Sequence, residues 1–491
     1  MGVVRFLLTS PHRIAPDAAA RLYFTGPDGI PLGIAALADA SGITIERDFP
    51  DSGVYYVPWP TDRGELMLCT ASLMERAAPY QLAVELARGT LSQLRSQVFE
   101  WQEIGLMLPE GFGDNVQQAM SQFALAATSR GDLAQAEAAA AAAIETTLAL
   151  GDQLCEAFVE QAINVRKRQT APLPTWIGMA LEQSLLDQSH ARRFLAASNA
   201  AIVTLNWRHV ESTERVYNWR VYDQQVAWCR QHQIPVVGGP LLKLDATGCP
   251  DWLFIWAGDF DNLISLVTDY VETVVERFRG RIAVWNCAAR FAIGDALSLS
   301  EEECLHLAAR AVEITRRCDP DTPVIMAFDQ PWAEYMRGGD HELSPLHVAD
   351  ALLRSEVGLA GIALELNLGY HPGGSHLRPL LAVNRLLDWW ATFGLPLYVY
   401  LTLPSATSPD PKAHLQTGVI EHGPWSVAIQ ERWAEQLVSL CAAKPAIHGI
   451  FWNACRDDEP HDFPHSGLWD AQGEEKTVLT LLRRFRRRHL R

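Results

Sequence analysis

The spacing of apolar positions changes twice along the chain and divides it into three predicted units. Residues 1–80 carry short strand-like runs between turn sequences such as Gly26-Pro27-Asp28-Gly29, which predicts a small β-rich module. Residues 81–198 place apolar residues three and four positions apart, which predicts three or four packed helices. In residues 199–491, short apolar strands alternate with long amphipathic helices.

This alternation predicts an α/β fold with a parallel sheet, because each strand returns to the sheet through a helical crossover. Seven strands stand out, and an eighth is placed near Trp176 to Met179 or lies unrecognised in the helical region, so that a (β/α)₈ TIM barrel can close. An open doubly wound sheet is the alternative, but neither GxGxxG nor GxxxxGK[ST] follows any of these strands. The seven strands cover residues 201–206, 234–239, 282–288, 323–328, 361–366, 397–403 and 449–454.

Short motifs follow one another in a fixed order through the predicted barrel. They include Asn206, Glu214 and Asp223 around the Tyr217-Asn-Trp219 turn, Pro250-Asp-Trp252, Arg277 to Asn286, Cys318-Asp-Pro320, Lys444 to Trp452 and Gly467-Leu-Trp-Asp470. In this order and spacing they resemble glycoside hydrolase family 10, the endo-1,4-β-xylanase family. The resemblance covers about residues 200–491 and implies a TIM barrel that acts on β-linked glycans.

The resemblance also implies two catalytic glutamates, one at the end of the fourth barrel strand and one at the end of the seventh. At these positions the chain has Arg290 and Thr402. An arginine stays protonated and cannot act as a carboxylic acid, and a threonine hydroxyl is a weak nucleophile without an adjacent base. The double-displacement mechanism of the family is therefore not expected here.

Six residues, including the two at the catalytic positions, are candidates for binding substrate. These substrate-binding candidates are Asn206, His209 in place of a lysine, Arg290, Asn367 in place of a histidine, Thr402, and Trp452 at the position of a subsite tryptophan. In the N-terminal module, Tyr55, Tyr56 and Trp59 could form a sugar-stacking surface, although alternating aromatic residues in a strand are typical of a core.

Two carboxylates near strand ends are the catalytic candidates, Glu365 and Asp329; Asp245 follows the third strand. Glu365 interrupts an apolar strand, so it needs either a partner or a polar cavity. It could form an ion pair with Arg290, or it could take part in catalysis. If Glu365 and Asp329 flanked a sugar, a separation of roughly 5 Å would indicate retention and ~7–9 Å inversion.

Composition excludes several classes of partner. The 41 Lys and Arg against 58 Asp and Glu give a net charge of −17, which disfavours nucleic acid and anionic membranes. We expect no cofactor and no metal, because His371, His461 and His465 have irregular spacing with the nearby aspartates. A protein partner could bind through the N-terminal region.

Nine cysteines lie singly, with no CxxC pair, which favours a reducing compartment over a disulfide framework. The first residues lack the apolar run of a signal peptide, and no stretch approaches the roughly 20 apolar residues of a membrane span. We therefore expect a cytoplasmic protein.

Three functions stay open at this point. The first is hydrolysis of a β-linked glycan with non-standard carboxylates. The second is a catalytically inactive barrel that binds glycan or serves as a scaffold. The third is a non-carbohydrate enzyme, since a fold does not dictate chemistry.

Overall fold

The structure is a computed structural model that describes residues 2–8, 17–39, 42–49, 51–129, 131–291, 296–416, 423 and 425–490. The predicted β-rich module is present at the N-terminus as two four-stranded sheets, in the orders β4-β5-β1-β8 and β3-β2-β6-β7. Its elements are β1 (Gly2–Leu7), α1 (Ala18–Arg21), β2 (Tyr23–Thr25), β3 (Pro31–Leu32), β4 (Ala35–Asp39), β5 (Gly42–Arg47), β6 (Val54–Thr61), β7 (Gly64–Cys69) and β8 (Tyr80–Gln81).

Three long helices follow, as the three- and four-residue spacing predicted: α2 (Leu82–Glu103), α3 (Phe112–Thr128) and α4 (Leu133–Gln169). The side chain of Asp132 caps α4 by accepting a hydrogen bond from the Gln135 backbone amide. Helix α4 packs against both α2 and α3 and also against two helices of the following barrel. The helical unit is therefore joined to the barrel along its longest element.

The rest of the chain forms a closed parallel barrel, which confirms the predicted TIM fold. The first strand β9 pairs with β10 on one side and with the last strand β17 on the other, and a β11–β13 pairing completes the ring. The strands are β9 (Trp176–Leu181), β10 (Ala200–Val203), β11 (Val236–Gly238), β12 (Leu242–Lys243), β13 (Val284–Ala289), β14 (Val324–Asp329), β15 (Gly361–Asn367), β16 (Leu397–Thr402) and β17 (Ile447–Trp452).

Helices connect successive barrel strands and form the outer layer. They are α5 (Gln188–Ala197), α6 (Trp207–Val210), α7 (Arg220–Gln231), α8 (Phe260–Phe278), α9 (Glu301–Cys318), α10 (Pro345–Arg354), α11 (Leu380–Ala391), α12 (Val427–Ala443) and α13 (Thr477–His489). Short 3₁₀ helices cover Asp251–Trp256, Ala296–Ser298 and Glu334–Gly338. No described helix is long and apolar enough to cross a membrane.

The eighth strand lies where the sequence placed it, near Trp176. The barrel thus begins ahead of residue 199, from which the predicted barrel unit was counted, and its first strand falls within the predicted helical segment. Six residues connect this strand to helix α5. The division of the chain into three units otherwise remains a prediction.

The barrel interior is filled by residues of unequal size. Tyr398, Tyr400 and Phe451 project inward from β16 and β17, and alanines on the other strands, including Ala180 and Ala363, leave room for these rings. Side chains alternate between the two faces of a strand. Along β15, Ala363 therefore shares the inward face with Glu365, which brings this carboxylate into the barrel.

A buried ion pair lies where the N-terminal module meets the barrel. Arg378 precedes α11, and its guanidinium donates to Glu334 and to the Tyr23 hydroxyl. The side chains of Arg378 and Glu334 are each 1% exposed. The Glu334 carboxylate also accepts from the His376 backbone amide at 3.1 Å. The N-terminal module thus contacts, through the Tyr23 hydroxyl, a charge pair of the barrel that is shielded from water.

We expect Glu334→Ala to lower the free energy of unfolding by about 3–5 kcal/mol, because it leaves the Arg378 charge buried without its partner. Chemical denaturation measures the change. The matched control is Asp350→Ala, whose partner Arg354 is 79% exposed and whose loss costs less than about 1 kcal/mol. Equal effects of the two substitutions would contradict the assigned role of the buried pair.

Candidate functional site at the mouth of the barrel

A cavity of about 120 Å³ opens at the carboxyl-terminal ends of the barrel strands. This is the end of a TIM barrel at which active sites are built. A cavity needs about 10–15 Å³ for each group the size of a water molecule. This cavity therefore has room for roughly one sugar ring. Its lining includes Glu182, Gln183, Asn206, His209, Lys243, Asn286, Arg290, Glu365, Tyr400, Thr402, His414, Asn453, Asp462 and Phe463.

Arg290 occupies the centre of the charged groups at this mouth. Its guanidinium lies 2.9 Å from Asp462, 3.1 Å from Asp245 and 3.5 Å from Glu365. Burial opposes the charge, but these three carboxylates outweigh it and raise the pKa of Arg290 well above its ordinary value. Arg290 has a φ of 50°, a conformation that costs free energy for a residue other than glycine. The ion pairs offset that cost.

Lys243 adds a second positive charge beside the same carboxylates. Its ammonium donates to Asp462 at 2.8 Å and to the Thr247 hydroxyl at 2.6 Å, and lies 3.5 Å from Asp245. Burial would raise the pKa values of Asp462 and Asp245, but Arg290 and Lys243 reverse the shift and lower both. Both aspartates are therefore held ionised, and the cluster has no excess of positive charge to attract an anion.

Asp462 reaches the mouth on the loop that follows β17, and this loop is held down by the loop after β16. The backbone amides of His414 and Leu415 donate to the carbonyls of His461 and Asp462 at 2.8 and 3.0 Å. The His461 ring also contacts Asp410 at 3.0 Å. Together the two loops cover one side of the cavity.

Glu365, the first catalytic candidate, lines the cavity as predicted, and it forms the ion pair with Arg290 that was one of its two interpretations. Its carboxylate also accepts from Asn367 at 3.1 Å. Glu365 is therefore already bound to a cation and an amide.

Asp329, the second candidate, is not among the residues that line the cavity. It pairs in register with Glu365 on the neighbouring strand, and burial together with the Glu365 charge raises its pKa to about 7. Adjacent strands lie about 4.8 Å apart, so both carboxylates stand on one wall. This arrangement does not place them on opposite sides of a bound sugar.

Among the substrate-binding candidates, Asn206, His209, Arg290 and Thr402 line the cavity, and Asn367 lies behind Glu365. Asn206 caps α6 and donates to the Thr247 carbonyl at 3.0 Å. The His209 ring contacts Gln183 at 2.7 Å, and burial, reinforced by Arg208, lowers its pKa to about 4. This imidazole is therefore neutral near pH 7.

Trp452 does not line the cavity. It is 2% exposed within the outer core, and its ring nitrogen donates to the Ser466 carbonyl at 2.7 Å. Its neighbour Phe451 is the inward-facing residue of β17, so the alternation of a strand turns Trp452 away.

The three histidines considered as metal ligands do not come together. His371 stacks on His376 with ring centroids 4.3 Å apart, whereas His461 belongs to a buried group with Asp410 and Asp457. Protein donors already occupy this group, since Asp410 accepts from the His465 amide at 2.7 Å and Asp457 from the Gly467 amide at 2.6 Å. Lys476 also donates to Asp457.

Glu182 is a lining residue that the sequence did not single out. It follows β9, and its Oε1 accepts from the backbone amides of Cys455 and Arg456 at 2.6 and 3.1 Å. Burial raises its pKa to about 8 despite these hydrogen bonds, so it is protonated near pH 7. Its position just past the strand placed near Trp176 to Met179 was a signal that could have identified it.

Four cavity-lining side chains have a buried polar atom without a hydrogen-bond partner among the described residues. They are Glu182 Oε2, Asn286 Oδ1, Tyr400 Oη and Thr402 Oγ1. Buried polar atoms are nearly always satisfied in proteins, so these four require a polar guest, either water or a ligand. The lining of the cavity therefore offers uncharged hydrogen-bonding groups.

Comparison with known proteins gives a family match for part of the chain. Residues 167–290 match the profile described as Glycosyl hydrolase family 10. The match spans β9 to Arg290, and the resemblance to this family that the motifs indicated is confirmed.

Solved xylanases are similar over a larger part. Xylanase 10B from Thermotoga maritima is 16% identical with a TM-score of 0.49, and the match covers 66% of this chain and 98% of the xylanase. An intracellular xylanase from Thermoanaerobacterium saccharolyticum, in complex with xylotetraose, is 17% identical with a TM-score of 0.47. That match covers 63% of this chain and 95% of the xylanase. The fold itself is established by the strand pairing described above.

We expect Arg290→Met to lower the free energy of unfolding by about 3–5 kcal/mol at pH 7, because three carboxylates lose their shared cation. The lowered pKa of Asp462 means that this contribution is present above the ordinary value of about 3.9 and is lost as the pH falls. The deficit should therefore stay constant down to about pH 4 and shrink below it, as thermal unfolding at a series of pH values can show. Arg277→Met, which removes a partly exposed pair with Asp223, is the control. A deficit that does not change with pH would rule out this account.

Proposed function

Starting from the match of residues 167–290 to glycosyl hydrolase family 10, we propose that this protein binds the end unit of a β-linked glycan in the barrel mouth and does not hydrolyse it by the double displacement of the family. The observation that carries the proposal is the set of four unpartnered polar atoms around a cavity with room for one sugar ring. A pyranose presents hydroxyl groups in several directions and can satisfy such atoms at once.

The charges at the mouth support a neutral ligand. Arg290 and Lys243 are both engaged by carboxylates, so neither is available as a free cation for a phosphate or a sulfate. Glu182 is protonated near neutral pH and His209 is neutral. A carbohydrate without charge suits this surface.

The positions of Arg290 and Thr402 argue against catalysis by double displacement. Arg290 directly follows β13, the fourth strand of the barrel, and Thr402 ends β16, the seventh. Neither can serve as a carboxyl acid or carboxylate nucleophile. Glu365 is bound to Arg290 and Asn367, and Asp329 shares its wall.

A glycosidase with relocated carboxylates is the rival function, and Glu182 is what favours it. Its pKa of about 8 suits a general acid, and β16 and β17 separate its strand from that of Glu365. The experiment below distinguishes the two functions. In either case the nine buried, unpaired cysteines lead us to expect a reducing compartment such as the cytoplasm.

The first experiment is calorimetric titration with xylose, glucose and mannose, beside reducing-sugar release from their β-linked oligosaccharides. We expect saturable binding of at least one monosaccharide and no release. Tyr400→Phe and Thr402→Val should each weaken binding roughly two- to tenfold, because each removes one hydrogen bond of about 0.5–1.5 kcal/mol. Tyr217→Phe, at a half-buried hydroxyl outside the lining, should leave the affinity unchanged.

Release of reducing sugar that Glu365→Gln or Glu182→Gln abolishes would overturn the proposal in favour of a glycosidase. Absence of any binding would also overturn it.

Binding should weaken as the pH rises through about 8. A bound sugar removes the remaining water from Glu182, so the ligand favours the protonated carboxyl. Titrations between pH 6 and pH 9.5 measure this dependence. Glu182→Gln keeps an uncharged side chain of similar shape and should abolish the dependence while retaining affinity; the same slope in wild type and variant would exclude Glu182 as its origin.

A further inference from the structure

A second and larger cavity lies outside the barrel, between the N-terminal module, helix α2 and helix α11 of the barrel. It has a volume of about 670 Å³, within the roughly 300–1,000 Å³ of small-molecule sites. We call it the interdomain cleft and define it by six of its lining residues: Tyr56, Ser92, Ser96, Trp332, Arg385 and Trp389. It shares no lining residue with the cavity at the barrel mouth.

Helix α2 presents a polar face to the cleft. Gly89, Ser92, Gln93 and Ser96 recur at three- and four-residue spacing along this face. A helix that faces the rest of its protein normally carries an apolar stripe there. Small hydroxyl and amide side chains instead leave space and hydrogen-bonding groups, as a site for a polar ligand requires.

The opposite walls carry aromatic rings that are open to the cleft. Tyr56 and Trp332 are half-buried, and Trp389 is 36% exposed. Tyr55 and Trp59, the other aromatic residues of the N-terminal strand, are at most 1% exposed and belong to the core. Of the predicted stacking surface, only Tyr56 therefore reaches a cavity.

A buried cation fixes two of these rings. The Arg378 guanidinium carbon lies 4.7 Å from the centre of the Trp332 ring and 5.5 Å from that of Tyr56. Arg378 is 1% exposed, lines the cleft, and has its Nε without a hydrogen-bond partner among the described residues. Because Glu334 neutralises Arg378, this residue orients the rings without attracting an anion.

The charged groups at the rim are mostly engaged. Asp388 pairs with Lys444, and Glu100 accepts from Gln97 at 3.2 Å. The exposed Arg385 has no ion-pair partner in the described part of the chain, so its guanidinium can donate to hydroxyl oxygens. Aromatic faces combined with hydroxyl, amide and guanidinium groups match the apolar faces and polar edges of sugar rings.

We propose that the interdomain cleft is a second carbohydrate site, which binds a longer segment of glycan than the barrel mouth accepts. The class of ligand rests on the proposed function, but the location does not. A cleft joining the N-terminal module to the barrel gives the module a role in binding, with Tyr56 on one wall and Trp389 on the other.

The test is calorimetric titration of the full chain with xylohexaose and cellohexaose. We expect two sites per chain for at least one of these probes. Ser96→Trp fills the cleft from an exposed position of α2 and should remove one site, and Trp389→Ala should weaken that site at least tenfold. Phe99→Ala, at a 66% exposed position of the same helix outside the lining, is the control and should change neither site.

The barrel-mouth variant Thr402→Val separates this proposal from the proposed function. Weaker binding at one site in Thr402→Val, with Ser96→Trp and Trp389→Ala both equal to wild type, would overturn the cleft and leave the barrel mouth. Loss in the two cleft variants alone, with no binding at the mouth, would overturn the proposed function and leave the cleft. Absence of binding of either hexaose to the wild-type chain would overturn the cleft proposal. Equal thermal unfolding temperatures would show that each variant is folded.

Discussion

The buried guanidinium of Arg290 is the constraint on which the barrel mouth depends. A charge removed from water must be matched by opposite charge, because its desolvation costs several kcal/mol. The fold meets this requirement with Asp245 after β11 and β12, Glu365 on β15 and Asp462 on the last long loop. Three separate parts of the chain therefore form ion pairs with the Arg290 guanidinium at the centre of the mouth.

This cluster also determines the chemistry that the mouth can offer. The carboxylates of Asp245 and Asp462, which neutralise Arg290 and Lys243, are held ionised and engaged, so they are poor candidates for proton transfer. The polar atoms without a partner among the described residues belong to uncharged groups, including Tyr400 Oη, Thr402 Oγ1 and Oε2 of the protonated Glu182. Recognition of hydroxyl groups follows more directly from such a surface than bond cleavage does.

The packing of the other two units follows a similar rule. The N-terminal module contacts the barrel through the Tyr23 hydroxyl, which accepts from Arg378 of the buried Arg378 and Glu334 pair, and α4 packs against α11 and α12. Where α2 faces α11, Asn384 donates to Gln97 at 3.1 Å, and beside this contact polar side chains of α2 line the interdomain cleft. The interdomain cleft therefore lies beside an outer core that extends from the N-terminal module through α2 and α4 to the barrel.

The sequence by itself determined the order of strands and helices, and with it the barrel, because hydrophobic periodicity is a local property. It also indicated that Glu365 faces inward, since a carboxylate on the helix-facing side of an apolar strand would lack a partner. It could not orient Trp452, because Phe451 beside it is equally apolar and either could face inward. The place of Asp462 and Glu182 in the barrel mouth was determined by the tertiary structure alone. Asp462 lies 219 residues from its partner Lys243, and the raised pKa of Glu182 comes from burial beneath loops whose path no periodicity encodes.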